Sequence, residues 1–128
     1  MDNLTDDWSS KSILIVEDDL FSTEYLVEAL SETKAEIKIA KDGTTAIQLV
    51  KETPTLDLIL MDIQLPGISG EEATKKIREF NRQIPIIAQT AHAMAKDKEK
   101  YLAAGCNDYL SKPILVTDLF EVLRKYLH

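Results

Sequence analysis

A single cysteine, Cys106, excludes an internal disulfide. It follows Gly105 in a short turn and reads as a small filler residue. No apolar run approaches the roughly 18 residues of a membrane span, so no membrane contact is expected. Met1 to Ser10 lack the basic start and apolar centre of a signal peptide, which points to a cytoplasmic protein. Positive charge is in short supply. Fifteen Lys and Arg stand against 22 Asp and Glu, a net charge of −7. Direct nucleic-acid binding normally uses a basic face and is not expected. Neither sign forms a block of five. Lys96 to Lys100 alternates in sign, as a solvated helix face does.

What is present is apolar material for a core (45% hydrophobic) in a length of 128 residues, which favours one domain. Residues 1–11 read as a loose leader or linker, with Leu4 and Trp8 as its only apolar bulk, and residues 12–128 as the folded domain. Five strand-and-helix repeats follow. Strands are predicted at Ser12–Glu17, Glu36–Ala40, Asp57–Asp62, Pro85–Thr90 and Asn107–Ser111. The first helix is predicted over Leu20–Glu32, with Phe21, Tyr25, Leu26, Ala29 and Leu30 on its apolar stripe. Asp42 can cap the second, which buries Ala46, Ile47, Leu49 and Val50 and stops before Pro54. Ser69 and Glu72 have capping-box spacing for the third, to about Asn81. The fourth spans Ala95–Ala104, is anchored by Tyr101 and Leu102, and closes on Gly105. The fifth spans Thr117–Leu127.

Strands alternating with helices imply a three-layer α/β fold, a parallel sheet covered on both faces. Interior strands of such a sheet are continuously apolar. Strands one, three and four fit that description, and the more polar two and five belong at the edges. With short right-handed crossovers this yields the order 2-1-3-4-5, the flavodoxin-like (βα)5 arrangement. Sites then lie beyond the carboxyl ends of the strands, at the switch point between strands one and three.

Chemistry collects at that rim. Strand one ends on Glu17, Asp18 and Asp19, and strand three on Asp62. Neighbouring strands lie about 4.8 Å apart, so these carboxylates would share a pocket. Crowded like charges raise each other's pKa, a cost that a hard divalent cation with oxygen ligands relieves. Taken singly, an acidic cluster can be mere solvated surface and a strand-end Asp a turn cap. Thr90 ends strand four and Lys112 follows strand five. Together they add a hydroxyl and an ammonium suited to a phosphoryl group. Pro113 follows Lys112, and a cis peptide there would aim the lysine inward.

The motifs I-L-I-V-E-D-D, L-I-L-M-D-I-Q-L-P-G-I-S-G, I-P-I-I-A-Q-T-A-H-A-M and Y-L-S-K-P-I occur in that order over residues 12–127. The set resembles the receiver domain of bacterial two-component response regulators, of the chemotaxis-regulator type or from a hybrid histidine kinase. The resemblance implies that Asp62 is the phosphoacceptor. It implies that Mg2+ (or Mn2+) is held by Asp18 and Asp62, by Glu17 through a water, and by the backbone carbonyl of Gln64. Thr90 and Lys112 match the family's hydroxyl and lysine, and Tyr109 its aromatic switch residue. Asp19 matches no family role.

The expected function is a phosphoacceptor signalling domain and not a turnover enzyme. A histidine kinase or histidine phosphotransfer protein donates to Asp62. Thr90 and Tyr109 then repack the surface of the fourth helix, fifth strand and fifth helix, which admits a homodimer formed on phosphorylation. His92, two residues after Thr90, reads as a loop residue governing how water reaches the phosphate. A haloacid-dehalogenase-like phosphatase would need an aspartate where Gln64 stands, and a flavin module would need a Ser/Thr-rich loop and stacking aromatics. A receiver-like module that is never phosphorylated would not need the complete set of Glu17, Asp18, Asp62, Thr90 and Lys112.

Overall fold

The computed structural model describes residues 6–128, and the first part of the leader, with Leu4, lies outside the described residues. Five parallel strands form one sheet: β1 (Ser12–Val16), β2 (Glu36–Ala40), β3 (Leu58–Asp62), β4 (Ile86–Thr90) and β5 (Asp108–Ser111). Their order is β2-β1-β3-β4-β5. Helices α1 (Leu20–Leu30), α2 (Gly43–Glu52), α3 (Gly70–Arg78), α4 (Ala95–Ala104) and α5 (Val116–Tyr126) alternate with them. This is the expected flavodoxin-like topology, with the edge strands as anticipated.

β1, β3 and β4 are buried at every residue, because helices cover both faces of the sheet. Their alternate side chains feed two cores. One gathers Leu14, Val16, Ile59, Met61, Ile86 and Ala88 under α2, α3 and α4. The other gathers Ile13, Ile15, Leu58, Leu60 and Ile87 under α1 and α5. Each large aliphatic side chain fully withdrawn from water contributes about 1.5–3 kcal/mol before entropy is counted.

Trp8, in the leader, packs against the domain. It is buried, stacks on Phe120 of α5 at 5.6 Å between ring centroids, and donates its backbone N–H to the Thr33 carbonyl. Asp6 pairs with Arg124 at 2.8 Å.

Two helix faces also differ from expectation. On α1, Leu26 and Leu30 are buried while Phe21 is 79% exposed and Tyr25 45% exposed. The buried stripe runs through Thr23, Leu26 and Leu30, nearly half a turn around the helix from Phe21 and Tyr25. Those two rings face the rim of the sheet, where Tyr25 donates its hydroxyl to the Ile114 carbonyl at 2.8 Å. On α4, Leu102 is 54% exposed, and the buried residues are Tyr101 and Ala104. Tyr101 and Ala104 are three residues apart and share a face, which Leu102 leaves by one helical step.

Candidate phosphoacceptor site

Register places the chemistry. Val16 pairs with Met61, so Glu17 stands beside Asp62. Asp62 pairs with Gln89, and Thr90 with Ser111, so Lys112 follows immediately along the rim. The backbone N–H of Lys112 donates to the Thr90 carbonyl at 2.8 Å, and that of Glu17 to the Ala40 carbonyl at 2.9 Å. The sheet ladder thus extends one residue past each strand and fixes the site residues on rigid backbone. The Lys112–Pro113 peptide is cis.

Asp62 and Glu17 are almost fully buried, while Asp18 and Gln64 are exposed. One carboxylate oxygen from each of Glu17, Asp18 and Asp62 lies within 4.8 Å of the others. Lys112 Nζ reaches Asp62 Oδ1 at 3.1 Å and Glu17 Oε1 at 3.4 Å. Burial, and then the charge of Asp62, push the Glu17 carboxyl above the usual range. Burial pulls on the Lys112 ammonium in the opposite sense, but its hydrogen bond to Asp62 and the two carboxylate charges outweigh this and raise its pKa. The site is a buried excess of negative charge, two carboxylates to one ammonium, with a third carboxylate at its mouth. All of the converging carboxylate donors are hard oxygens, so the residues fit a magnesium ion. The Gln64 N–H donates to Asp62 Oδ1 at 3.2 Å, which brings residue 64 against the same carboxylate.

The loop after β3 is held close by Gly70, whose N–H donates to the Ile63 carbonyl at 2.9 Å. A Cβ at residue 70 would overlap the Asp62 carbonyl oxygen. Only glycine lets the start of α3 approach the end of β3 this closely.

Thr90 is buried, and its hydroxyl is occupied. Thr90 Oγ1 donates to the His92 carbonyl at 3.0 Å, accepts from the His92 N–H at 2.9 Å, and lies 2.8 Å from the Tyr101 hydroxyl. Tyr109 is half-buried at the edge of the first core, with Lys98 Nζ 4.8 Å from its ring centroid. His92 is exposed, its Nε2 3.4 Å from Gln64 Nε2.

Three roles here escaped the sequence reading, which had Asp19 only among the pocket carboxylates and Tyr101 only as an anchor of α4. Asp19 caps α1, accepting from the backbone N–H and hydroxyl of Ser22 at 2.9 and 2.8 Å. The signal was available: an Asp three residues before a Ser at a helix start. Gln89 is buried, and its carboxamide meets no protein partner among the described residues. The Tyr101 hydroxyl had no sequence signal, since only the fold brings it to Thr90.

The model of the response regulator receiver domain family matches residues 13–124. The polar-differentiation response regulator DivK of Brucella anthropi is 40% identical over 119 residues, 91% of this chain and 96% of that protein. Hybrid signal transduction histidine kinase I of Dictyostelium discoideum is 43% identical over 121 residues, 88% of this chain, which spans 7% of that kinase. Among solved structures, the Saccharomyces cerevisiae Ssk1 receiver domain, crystallised with the histidine phosphotransfer protein Ypd1, superposes with a TM-score of 0.87. It is 38% identical, with 92% of this chain and 89% of that one covered. The receiver domain of the Pseudomonas aeruginosa sensor histidine kinase PA1611, with magnesium in its active-site cleft, has a TM-score of 0.84 and is 35% identical, with 92% and 98% covered. With its five-stranded sheet in order 2-1-3-4-5 and an acidic cluster at the strand ends, the chain belongs to the response regulator receiver domain family.

Proposed function

We propose that Asp62 accepts a phosphoryl group from a phosphohistidine on a histidine kinase or histidine phosphotransfer protein. The observation that carries this reading is the 3.1 Å contact between Lys112 Nζ and Asp62 Oδ1, inside a cluster in which one oxygen each of Glu17, Asp18 and Asp62 lie within 4.8 Å of one another. In the transfer the imidazole N–P bond breaks and an Asp62 O–P bond forms. Lys112 sits where it can pair with negative charge on the phosphoryl oxygens, so catalysis is mostly positioning and charge neutralisation. Glu17, Asp18, Asp62 and the Gln64 carbonyl would hold magnesium, which when bound neutralises carboxylate and phosphoryl charge.

The Thr90 hydroxyl then turns to the phosphoryl group, and Tyr109 repacks with α4, β5 and α5 as the output surface. The domain assists its own modification and turns over no external substrate. A cytoplasmic location belongs to the same reading. No helix among the described residues is long and apolar enough to cross a membrane.

The donor's approach has its own support. Leu20, Phe21 and Leu115 are exposed beside the site. Phe21, Leu26, Ile114 and Leu115 line a cavity of about 590 Å³ that also reaches Glu17 and Lys112. A protein carrying the phosphohistidine would cover these apolar groups as it docks, and a phosphotransfer protein is the partner of the related Ssk1 receiver.

Incubation with acetyl phosphate and magnesium, read by intact mass, tests the proposal. One added phosphate that disappears in Asp62→Asn is expected. A gain that persists in that variant, or no gain in the native chain, overturns it.

A further inference from the structure

We infer that the crevice between α1 and the loop from β5 to α5 binds a small, neutral, planar molecule with a lactam-type edge, and that the Gln89 carboxamide is the group that reads this edge.

Gln89 stands in register with Asp62, and Ile87, two residues earlier, belongs to the core under α1 and α5. With the period of two of a strand, Gln89 projects to that same face and Thr90 to the other. Gln89 is 1% exposed and contributes to the lining of the crevice. Neither its Oε1 nor its Nε2 meets a hydrogen-bond partner among the described residues. A buried amide left unpaired is destabilising, so an apolar side chain such as that of Ile87 would be the more stable choice at this position if the fold alone mattered.

The crevice around Gln89 has the build of a ligand site. Phe21, Tyr25 and Leu26 form one wall, Ile114 and Leu115 the other, and the enclosed volume of about 590 Å³ suits a small organic molecule. The Tyr25 hydroxyl donates to the Ile114 carbonyl at 2.8 Å and so pins the two walls at a fixed spacing. Phe21 and Leu115 are largely exposed, free to fold down over an occupant.

The chemistry of the occupant follows from the polar groups. The two charged groups of the lining, Glu17 and Lys112, already face each other at 3.4 Å, beside the further carboxylates of Asp18 and Asp62. An anion is repelled there, and a cation is drawn past Gln89 to the carboxylates, which leaves a neutral molecule. A primary carboxamide offers an acceptor oxygen beside a donor nitrogen. A ring amide presents N–H and C=O side by side, so one edge satisfies Oε1 and Nε2 together while its flat apolar body lies between the walls. A water would pair with the carboxamide but cover none of the apolar wall. A molecule lodged in the crevice occupies the apolar groups that a phosphohistidine donor would cover, and so hinders docking. That consequence, unlike the site itself, rests on Asp62 being the phosphoacceptor.

The probes are oxindole, a flat bicyclic lactam, and N-methyloxindole, which lacks the N–H. Each is titrated against the 15N-labelled full chain without magnesium. Oxindole is expected to bind saturably with a Kd of about 1 mM or tighter, in keeping with its size. It should shift the Gln89 side-chain amide and the backbone amides of Phe21 and Leu115. N-methyloxindole should bind about three- to tenfold more weakly, the worth of one hydrogen bond. Gln89→Leu should fold at least as stably as the native chain and no longer distinguish the two probes. Phe21→Ala, at an exposed position, should weaken both probes alike. The absence of saturable binding, as a surface shaped only for a docking protein would give, overturns the inference. So does equal binding of the two probes to the native chain, an unmoved Gln89 side-chain amide, discrimination that survives Gln89→Leu, or binding unchanged by Phe21→Ala. Should Gln89→Leu fold poorly, the pair of probes and the Gln89 resonance in the native chain decide. These readouts involve no phosphoryl group, so their failure leaves the acetyl phosphate test of Asp62 untouched.

Discussion

The ammonium of Lys112 stands 3.1 Å from Asp62 Oδ1, and its second contact, 3.4 Å away, is the Glu17 carboxylate. One partly exposed cation thus separates two carboxylates that are each nearly sealed from water. Lys112→Ala is expected to destabilise the metal-free domain by about 2–4 kcal/mol at neutral pH, because it strands buried charge. The deficit should shrink on acidification. Glu17 has a raised pKa, takes up a proton early, and then no longer repels Asp62. Urea unfolding of both proteins across pH checks the size and the sign.

Magnesium should supply the missing positive charge. At one hundred times its dissociation constant a ligand specific for the folded state stabilises by about 2.7 kcal/mol, which raises the melting temperature of a domain this size by roughly 10 °C. Asp18→Asn is expected to remove most of that gain while leaving the metal-free melting temperature almost unchanged, since Asp18 is exposed. Thermal melts with and without magnesium read both.

Gly70 is expected to tolerate no side chain. Gly70→Ala drives a methyl group into the Asp62 carbonyl and the backbone of Ile63, so the α3 start must retreat from the site. A loss of about 2 kcal/mol or more is expected, together with weaker magnesium binding, by denaturation and calorimetry. An alanine at Gly67, where no atom lies near the added carbon, should meet no clash and pay only for its positive φ.

Helix α4 is expected to exchange its amides faster than α5. It buries Tyr101 and Ala104, whereas α5 buries Leu119, Val122 and Leu123. Hydrogen exchange followed by mass spectrometry resolves the two helices, and equal protection would contradict the ranking.

Cys106 provides a pH test far from the site. Burial pushes its thiol up to about 11, against an ordinary 9.0. Between those values the unfolded chain has released a proton that the folded chain retains. The thiol's contribution is therefore complete below about pH 9 and is lost as pH rises toward 11. Cys106→Ala should flatten that part of the stability curve by roughly 2 kcal/mol.

The site was legible in the sequence because its residues sit where periodicity breaks. Apolar strands stop abruptly at Glu17, Asp62 and Thr90, and strand ends need no three-dimensional information to be placed on one rim. The sheet order followed from the polarity of β2 and β5 together with short right-handed crossovers. Helix faces were less legible. Phe21 and Tyr25 have the spacing of core residues, yet they stand beside the crevice, because hydrophobicity does not distinguish a core contact from a docking contact. Leu102 misled for the same reason. The Tyr101 hydroxyl and the Gln89 carboxamide are polar atoms whose meaning depends on what another strand or helix brings to them, and no one-dimensional pattern encodes that.

Trp8 is the chain's sole indole, and it rests on Phe120 near the start of β1, whereas Asp62 lies at the far end of β3. Its fluorescence is therefore a built-in listener placed away from the chemistry. Any change in its emission when Asp62 is modified would mean that the message had travelled through α5 to the opposite side of the domain. A silent indole would confine the message to the rim where it began.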